Sequence, residues 1–193
     1  MDLIEGLCTA VEARGLAKTR IEDIVRSARM SKRTFYEHFP DKAACFVEAY
    51  RELGRRTMEE IAGAVDITAP WERQIEAAVR AYFTTLDARP KLTRAFFLEI
   101  HVAGARALVL RREVLAEFAA LTGRFVALAR QSHPELRPLT PLMATAIVGG
   151  INELMLLKAE KAMKMDELIE TAVQLVTTMV APADRQADKR ARR

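Results

Sequence analysis

Apolar residues recur along most of this chain at intervals of three and four, the spacing of one face of an α-helix. Leu3, Leu7, Ala10 and Val11 predict a first helix over residues 3–14, with Gly15 suited to follow its last turn. Ile21, Ile24 and Val25 predict a second over about 20–28, with Thr19 at the N-cap place and Glu22 three residues later, a capping-box spacing. The pattern breaks at Arg29 and Met30. Ser31 can then cap a short third helix, in which Lys32, Arg33, Thr34, Tyr36 and Glu37 lie on faces away from Phe35 and Phe39. Pro40 and Asp41 end it and open a long fourth helix to about residue 64, with Phe46, Tyr50, Leu53 and Ile61 apolar.

Beyond a break at 66–70, Pro70 suits the first position of a fifth helix over about 71–88, lined by Trp71, Ile75, Val79 and Phe83. Pro90 starts a sixth carrying Phe96, Phe97 and Ile100. Gly104 separates it from a seventh over about 105–131, striped by Leu108, Leu115, Phe118, Leu121, Phe125 and Leu128. The eighth and ninth fall at about 142–163 and 166–180, and Pro182 ends the last. No strand alternation and no repeat period is present, so the expected fold is all-α with about nine helices.

The eighth and ninth helices are too apolar for one-sided burial. Ile147, Ile151, Leu154 and Met155, then Leu168, Ala172, Leu175, Val176 and Met179, cover more than one face. A surface helix needs an apolar stripe only about 100° wide, so a wider one implies burial on two sides. Gly149 and Gly150 would permit close helix approach. The two readings are a deeply buried pair within one chain and a face shared with a second copy.

Residues 18–39 have the shape of a helix-turn-helix, whose second helix enters the DNA major groove. The run Ser31, Lys32, Arg33, Thr34, Phe35, Tyr36, Glu37, His38, Phe39, followed by Asp41 and Lys42, resembles the recognition segment of the tetracycline-repressor-like (TetR) family of bacterial regulators. Thr19, Ile21, Asp23 and Ile24 ahead of it match too, as does the position near the N-terminus. One residue departs: the turn usually carries Gly where this chain has Arg29. Either Arg29 takes the left-handed conformation, at roughly 1–2 kcal/mol, or the turn is shaped differently.

The resemblance implies a three-helix DNA-binding head over residues 1–45, an effector-binding and dimerising helical body over 46–182, and leaves a basic, disordered tail at 183–193. It implies that the last two helices pair with their symmetry mates, and that displacement of helix four by helix six or seven couples ligand to DNA. In the family a basic arm often precedes helix one; only Met1 and Asp2 do so here, so contacts from such an arm are not expected.

Half the residues are hydrophobic, enough for a sizeable core, and the formal charge of +4 points only weakly to polyanions because part of it sits in the tail. Its distribution says more: Arg14, Lys18, Arg20, Arg26, Arg29, Lys32, Arg33 and Lys42 gather around the motif. No uninterrupted apolar run reaches transmembrane length and no signal peptide precedes the first helix, so a soluble, cytoplasmic protein with no membrane partner is expected. Cys8 and Cys45 fall on apolar positions and read as buried, reduced thiols. His38, His101 and His133 are far apart, so no metal site is expected; no phosphate loop or nucleophile motif implies a cofactor or catalytic residues.

For DNA contact the candidates are Thr19, Arg20, Ser31, Lys32, Arg33, Thr34, Tyr36, His38 and Lys42. Arg33 suits a bidentate guanine contact, and Thr34 a thymine methyl or a phosphate. The resemblance points to Tyr36, His38 and Lys42 as phosphate contacts, with Thr19 or Arg20 near the backbone; His38 could instead be a packed histidine. Glu22 stands where many relatives carry a base-contacting Arg. For a small-molecule effector the candidates are Trp71, Tyr82, Phe83, Phe96, Phe97, His101, Phe118, Phe125 and Asn152, because ligand pockets are largely apolar with a few polar groups. The expected function is a homodimeric, ligand-responsive transcriptional repressor on a pseudo-palindromic operator, and not an enzyme. The alternative is a helical sensor or scaffold that acts through protein contacts without operator binding.

Overall fold

The computed structural model describes residues 2–160 and 163–182. The tail expected at 183–193, and the end of the eighth helix expected beyond Glu160, lie outside the described residues in whole or in part. Among the described residues there are nine α-helices, one 3-10 turn and no strand. The helices are α1 (Leu3–Arg14), α2 (Ile21–Ala28), α3 (Lys32–His38), α4 (Lys42–Ala64), α5 (Trp71–Asp87), α6 (Pro90–Leu98), α7 (Ala105–Ser132), α8 (Pro141–Glu160) and α9 (Met165–Val180). The all-α reading therefore holds, with boundaries mostly within one or two residues of those expected.

Two helix starts differ. The Thr19 hydroxyl donates backwards to the Gly15 carbonyl at 2.7 Å, and Thr19 lies one residue ahead of the N-cap of α2. Arg20 is the N-cap residue instead, and the Asp23 carboxylate accepts from its N–H at 3.0 Å. Pro70 precedes α5 rather than opening it; its carbonyl accepts from Arg73 and Gln74. Ile100 belongs to the 3-10 turn Ile100–Ala103, not to α6.

The chain divides into two compact units, Met1–Thr57 with Leu86–Val114, and Met58–Thr85 with Leu115–Arg193. This differs from the expected division at 45/46. Within the first unit, Leu7, Ile24, Phe35, Phe46, Phe96 and Ile100 are fully buried in one core. Phe46 and Phe96 pack with ring centroids 4.9 Å apart. Arg89, just before α6, donates to Glu12 at 2.6 and 3.0 Å and to Glu5 at 3.0 Å, both on α1. Glu99, just after α6, accepts from the Ala17 N–H at 3.1 Å. A segment remote in sequence thus completes the core beneath α1, which local periodicity cannot reveal. Gly6 marks the close approach of α1 to α2: a Cβ there would stand 2.7 Å from the Ile24 carbonyl oxygen and from Ala28 Cβ.

In the second unit Phe83, Ile147, Met155, Leu168 and Val180 are fully buried. The Tyr82 hydroxyl donates to Asn152 Oδ1 at 2.5 Å, and its ring meets Phe118 edge-on at 6.0 Å. The stripe expected on α7 is not its most buried face. Ala107, Leu110 and Val114 are buried in the first unit and Ala119 and Val126 in the second, while Leu128 is exposed. Small side chains occupy the tight packing places, as where a Cβ on Gly54 would lie 2.8 Å from Val114.

The apolar character expected of α8 is present. Its stretch Pro141–Lys158 has a mean hydropathy of 1.2 and is, by length and composition alone, sufficient to cross a membrane. Only 22% of that stretch is buried inside the chain. Both cysteines are buried and free, and burial pushes each thiol up to about 12.

Candidate functional site

The helix-turn-helix is built from local chemistry. Arg29 ends α2 with φ 58° and ψ 40°, the left-handed conformation that the turn demands. The Met30 N–H returns to the Val25 carbonyl at 2.9 Å and closes the turn. Ser31 then caps α3, its Oγ accepting from the Thr34 N–H at 3.0 Å. Phe35 is wholly buried, which orients the helix and turns Lys32, Arg33 and Tyr36 outward. Arg33 is 90% exposed at its side chain. Tyr36 is 57% exposed although its ring meets Phe35 edge-on.

The cations of this face are held by acids. Lys32 pairs with Glu22 across the turn, and Arg33 with Glu37 one helical turn on at 3.1 Å. The hydrogen bond to Lys32 holds the Glu22 carboxyl below its usual range, and the same bond raises the Lys32 ammonium. Glu22 thus stands beside the first residue of α3. Behind the face, Asp23 is buried and pairs with Arg14 at 3.1 Å and Arg26 at 3.5 Å, which locks α2 to α1.

The nine residues expected at DNA do not form one surface. Arg20, Ser31, Lys32, Arg33, Tyr36 and His38 are exposed, and Thr34 is partly covered through its 2.9 Å contact with Ser31 Oγ. His38 is therefore not a packed core histidine. Thr19 is buried, with its hydroxyl committed to Gly15, so a direct side-chain contact with DNA is not available to it. Lys42 is half-buried and donates to the carbonyls of Leu16 and Thr19 at 2.7 and 2.8 Å. It fastens the loop between α1 and α2, a role that motif matching had no means of seeing. Burial lowers the Lys42 ammonium, and the charge of Glu99 opposes that shift.

The second unit holds a cavity of about 110 Å³ that opens in part to solvent. Of the expected effector residues, Trp71, Tyr82, Phe118 and Phe125 line it, and Asn152 stands behind the lining, hydrogen-bonded to Tyr82. Phe83 is buried elsewhere in the unit's packing, while Phe96, Phe97 and His101 belong to the first unit, with Phe96 in its core and His101 exposed. Ile61, Gln74, Thr122, Leu136 and Val176 line the cavity and are not among the expected effector residues. Their periodicity is that of any core, so only the space left between helices distinguishes them. No group of His, Cys, Asp and Glu that could hold a metal occurs among the described residues.

The expected dimer residues divide in the same way. Ile147, Met155, Leu168, Ala172 and Val176 are buried within the chain, and Ile147, Ile151 and Val176 face the cavity. Ile151, Leu154, Leu175 and Met179 are half-buried. The outer face of α8 carries instead Leu142 (82% exposed), Thr145, Ala146, Gly149 and Glu153. Expectation placed the inward stripe outside because both faces of the helix are apolar, and composition cannot tell them apart.

Comparison with known proteins bears on the N-terminal segment and on the fold. Residues 3–49 match the model of the family described as bacterial regulatory proteins, tetR family. No curated protein matches the chain. Among solved structures, the fatty acid degradation regulator FadR from Bacillus halodurans superposes with a TM-score of 0.76 at 20% identity, covering 90% of this chain and 95% of that one. FadR from Bacillus subtilis, in complex with stearoyl-CoA, gives 0.75 at 16% identity, covering 92% and 96%. A tetR-family regulatory protein from Rhodococcus RHA1 gives 0.70 at 16% identity, covering 94% and 96%. At such identities these likenesses establish the fold.

Proposed function

We propose that this chain, a DNA-binding transcriptional regulator whose N-terminal head belongs to the tetR family, is a ligand-responsive repressor working in the cytoplasm. It binds a pseudo-palindromic operator as a homodimer, and an apolar effector in the second unit's cavity releases it. The observation that carries the reading is the outward face of α3, where Lys32, Arg33 and Tyr36 project while Phe35 anchors the helix. Side chains at the start of a recognition helix reach base edges, and phosphate contacts set register. Arg33 reads guanine; Arg20, Ser31, Tyr36 and His38 meet the backbone; Thr34 meets a thymine methyl or phosphate. Lys42 acts from behind, by shaping the loop that carries Arg20.

Support for the dimer comes from α8, an apolar helix with most of its length unburied in one chain. A twofold pair presents two reading helices, which is why a pseudo-palindrome is expected. Support for the effector is the cavity and its apolar lining. To release DNA the effector must favour a DNA-incompetent arrangement over the competent one; tight binding to both would shift nothing. Selection of bound sequences from random duplex DNA tests the reading. A paired half-site motif is expected. Enrichment of no sequence would favour a sensor or scaffold acting through protein contacts.

A further inference from the structure

The cavity's chemistry says which molecules it accepts. None of its lining side chains is Asp, Glu, Lys, Arg or His. The polar groups that line it beside the Trp71 indole are Gln74, Tyr82 and Thr122. Each has already given its hydrogens away. Gln74 Nε2 donates to the Ala69 carbonyl at 2.8 Å and the Ile67 carbonyl at 3.2 Å. The Tyr82 hydroxyl donates to Asn152 Oδ1 at 2.5 Å, and the Thr122 hydroxyl to the Phe118 carbonyl at 2.9 Å. What the Gln74 amide and the Thr122 hydroxyl then present is oxygen lone pairs, which accept hydrogen bonds.

We infer that the occupant of this cavity is an uncharged, predominantly hydrocarbon molecule, and that a polar group on it donates a hydrogen bond, as an alcohol does. The inference rests on the proposed effector role and narrows it. A carboxylate or phosphate inside would meet no cation and would face acceptor oxygens, and an unpaired buried charge is strongly disfavoured. A hydroxyl loses little, because it can donate to an oxygen lone pair of Gln74 or Thr122. An anionic lipid conjugate could place only its chain here, with its charged part outside.

Trp71 is the single tryptophan of the chain and lines the cavity, so its fluorescence reports occupancy. The full-length protein is titrated at pH 8 with decan-1-ol and, separately, with decanoate. Saturable quenching by decan-1-ol, with decanoate at least about tenfold weaker, is expected from the cost of burying an unpaired charge. Equal or tighter binding of decanoate overturns the inference, and so does failure of decan-1-ol to bind. Thr122→Lys, checked for folding by circular dichroism, supplies a cation and should strengthen decanoate by about tenfold. If that variant does not fold, the comparison on the unaltered protein decides alone. Operator release is measured separately by anisotropy of labelled DNA. Binding of decan-1-ol without release would sink the regulatory reading and leave the ligand class standing.

Discussion

Lys42 Nζ lies 2.8 Å from the carbonyl oxygen of Thr19, and the same ammonium also meets the Leu16 carbonyl at 2.7 Å. A residue whose sequence place suggests a phosphate contact is thereby a clasp on the loop that leads into α2. Lys42→Met keeps the aliphatic stem and removes the clasp. It should destabilise the chain by about 1–3 kcal/mol, because a charged donor to two partly buried carbonyls is lost. Chemical denaturation measures this. An effect on DNA affinity with no loss of stability would return Lys42 to the role of a simple phosphate contact, whose removal lowers the salt slope by about 1.

Arg29 occupies left-handed backbone at φ 58°. Arg29→Gly removes the Cβ clash there, at some cost in unfolded-chain entropy, and should raise stability by up to about 1 kcal/mol. Thermal unfolding of the two proteins side by side checks it. A lowered midpoint would mean that the Arg29 side chain contributes more than its backbone costs.

Arg33 is the exposed guanidinium best placed for base reading, and its pairing with Glu37 is a surface contact worth little. Arg33→Ala should cost about 1–3 kcal/mol in operator affinity and relax preference at one base pair. Sequence selection with the variant reads this directly; unchanged discrimination at every position would remove Arg33 from the reading set.

Glu22 and Lys32 make a contact whose pH dependence has a definite sign. The Glu22 carboxyl is held below its ordinary range by the hydrogen bond from Lys32. Its contribution is therefore present above the unfolded value and is lost as pH falls through the lower folded one. Across neutral pH the pair stays intact, so operator affinity should show no titration from Glu22 between pH 6 and 8. Glu22→Gln should tighten non-specific DNA binding and steepen its salt dependence, since it removes an anion beside α3. A slope that becomes shallower in fluorescence titrations would contradict this.

Gly149 lies on the outer face of α8, and a Cβ there would meet nothing within 4 Å in the single chain. Gly149→Arg should thus leave the isolated fold intact while obstructing a twofold partner. Light scattering should report monomers, with operator affinity reduced by at least about tenfold through loss of the second head. A variant that remains dimeric would place the shared face elsewhere.

Much of this molecule is written locally. Ser31 as a cap, Phe35 as the anchor of α3 and Gly15 and Gly104 as helix stops were legible because each acts through neighbours within a turn or two of helix. The same locality made the outward face of α3 legible, since Phe35 and its outward neighbours are set by one period. Thr19 shows where such reasoning fails: its place before α2 suggests a cap, yet its hydroxyl follows a carbonyl four residues earlier.

By itself, then, the sequence determined the helices, their order and the chemistry of the reading segment, because hydrogen bonds within helices and caps span only a few residues. Tertiary structure alone decided that Arg89 and Glu99 belong with α1 and its loop, that α8 turns Ile147 inward and Gly149 outward, and that Gln74, Tyr82 and Thr122 meet around one space. Those choices depend on which of two apolar faces finds a partner and on atoms brought together across long loops. A period of three and four residues is the same for a helix packed against its neighbour, against a cavity or against another chain.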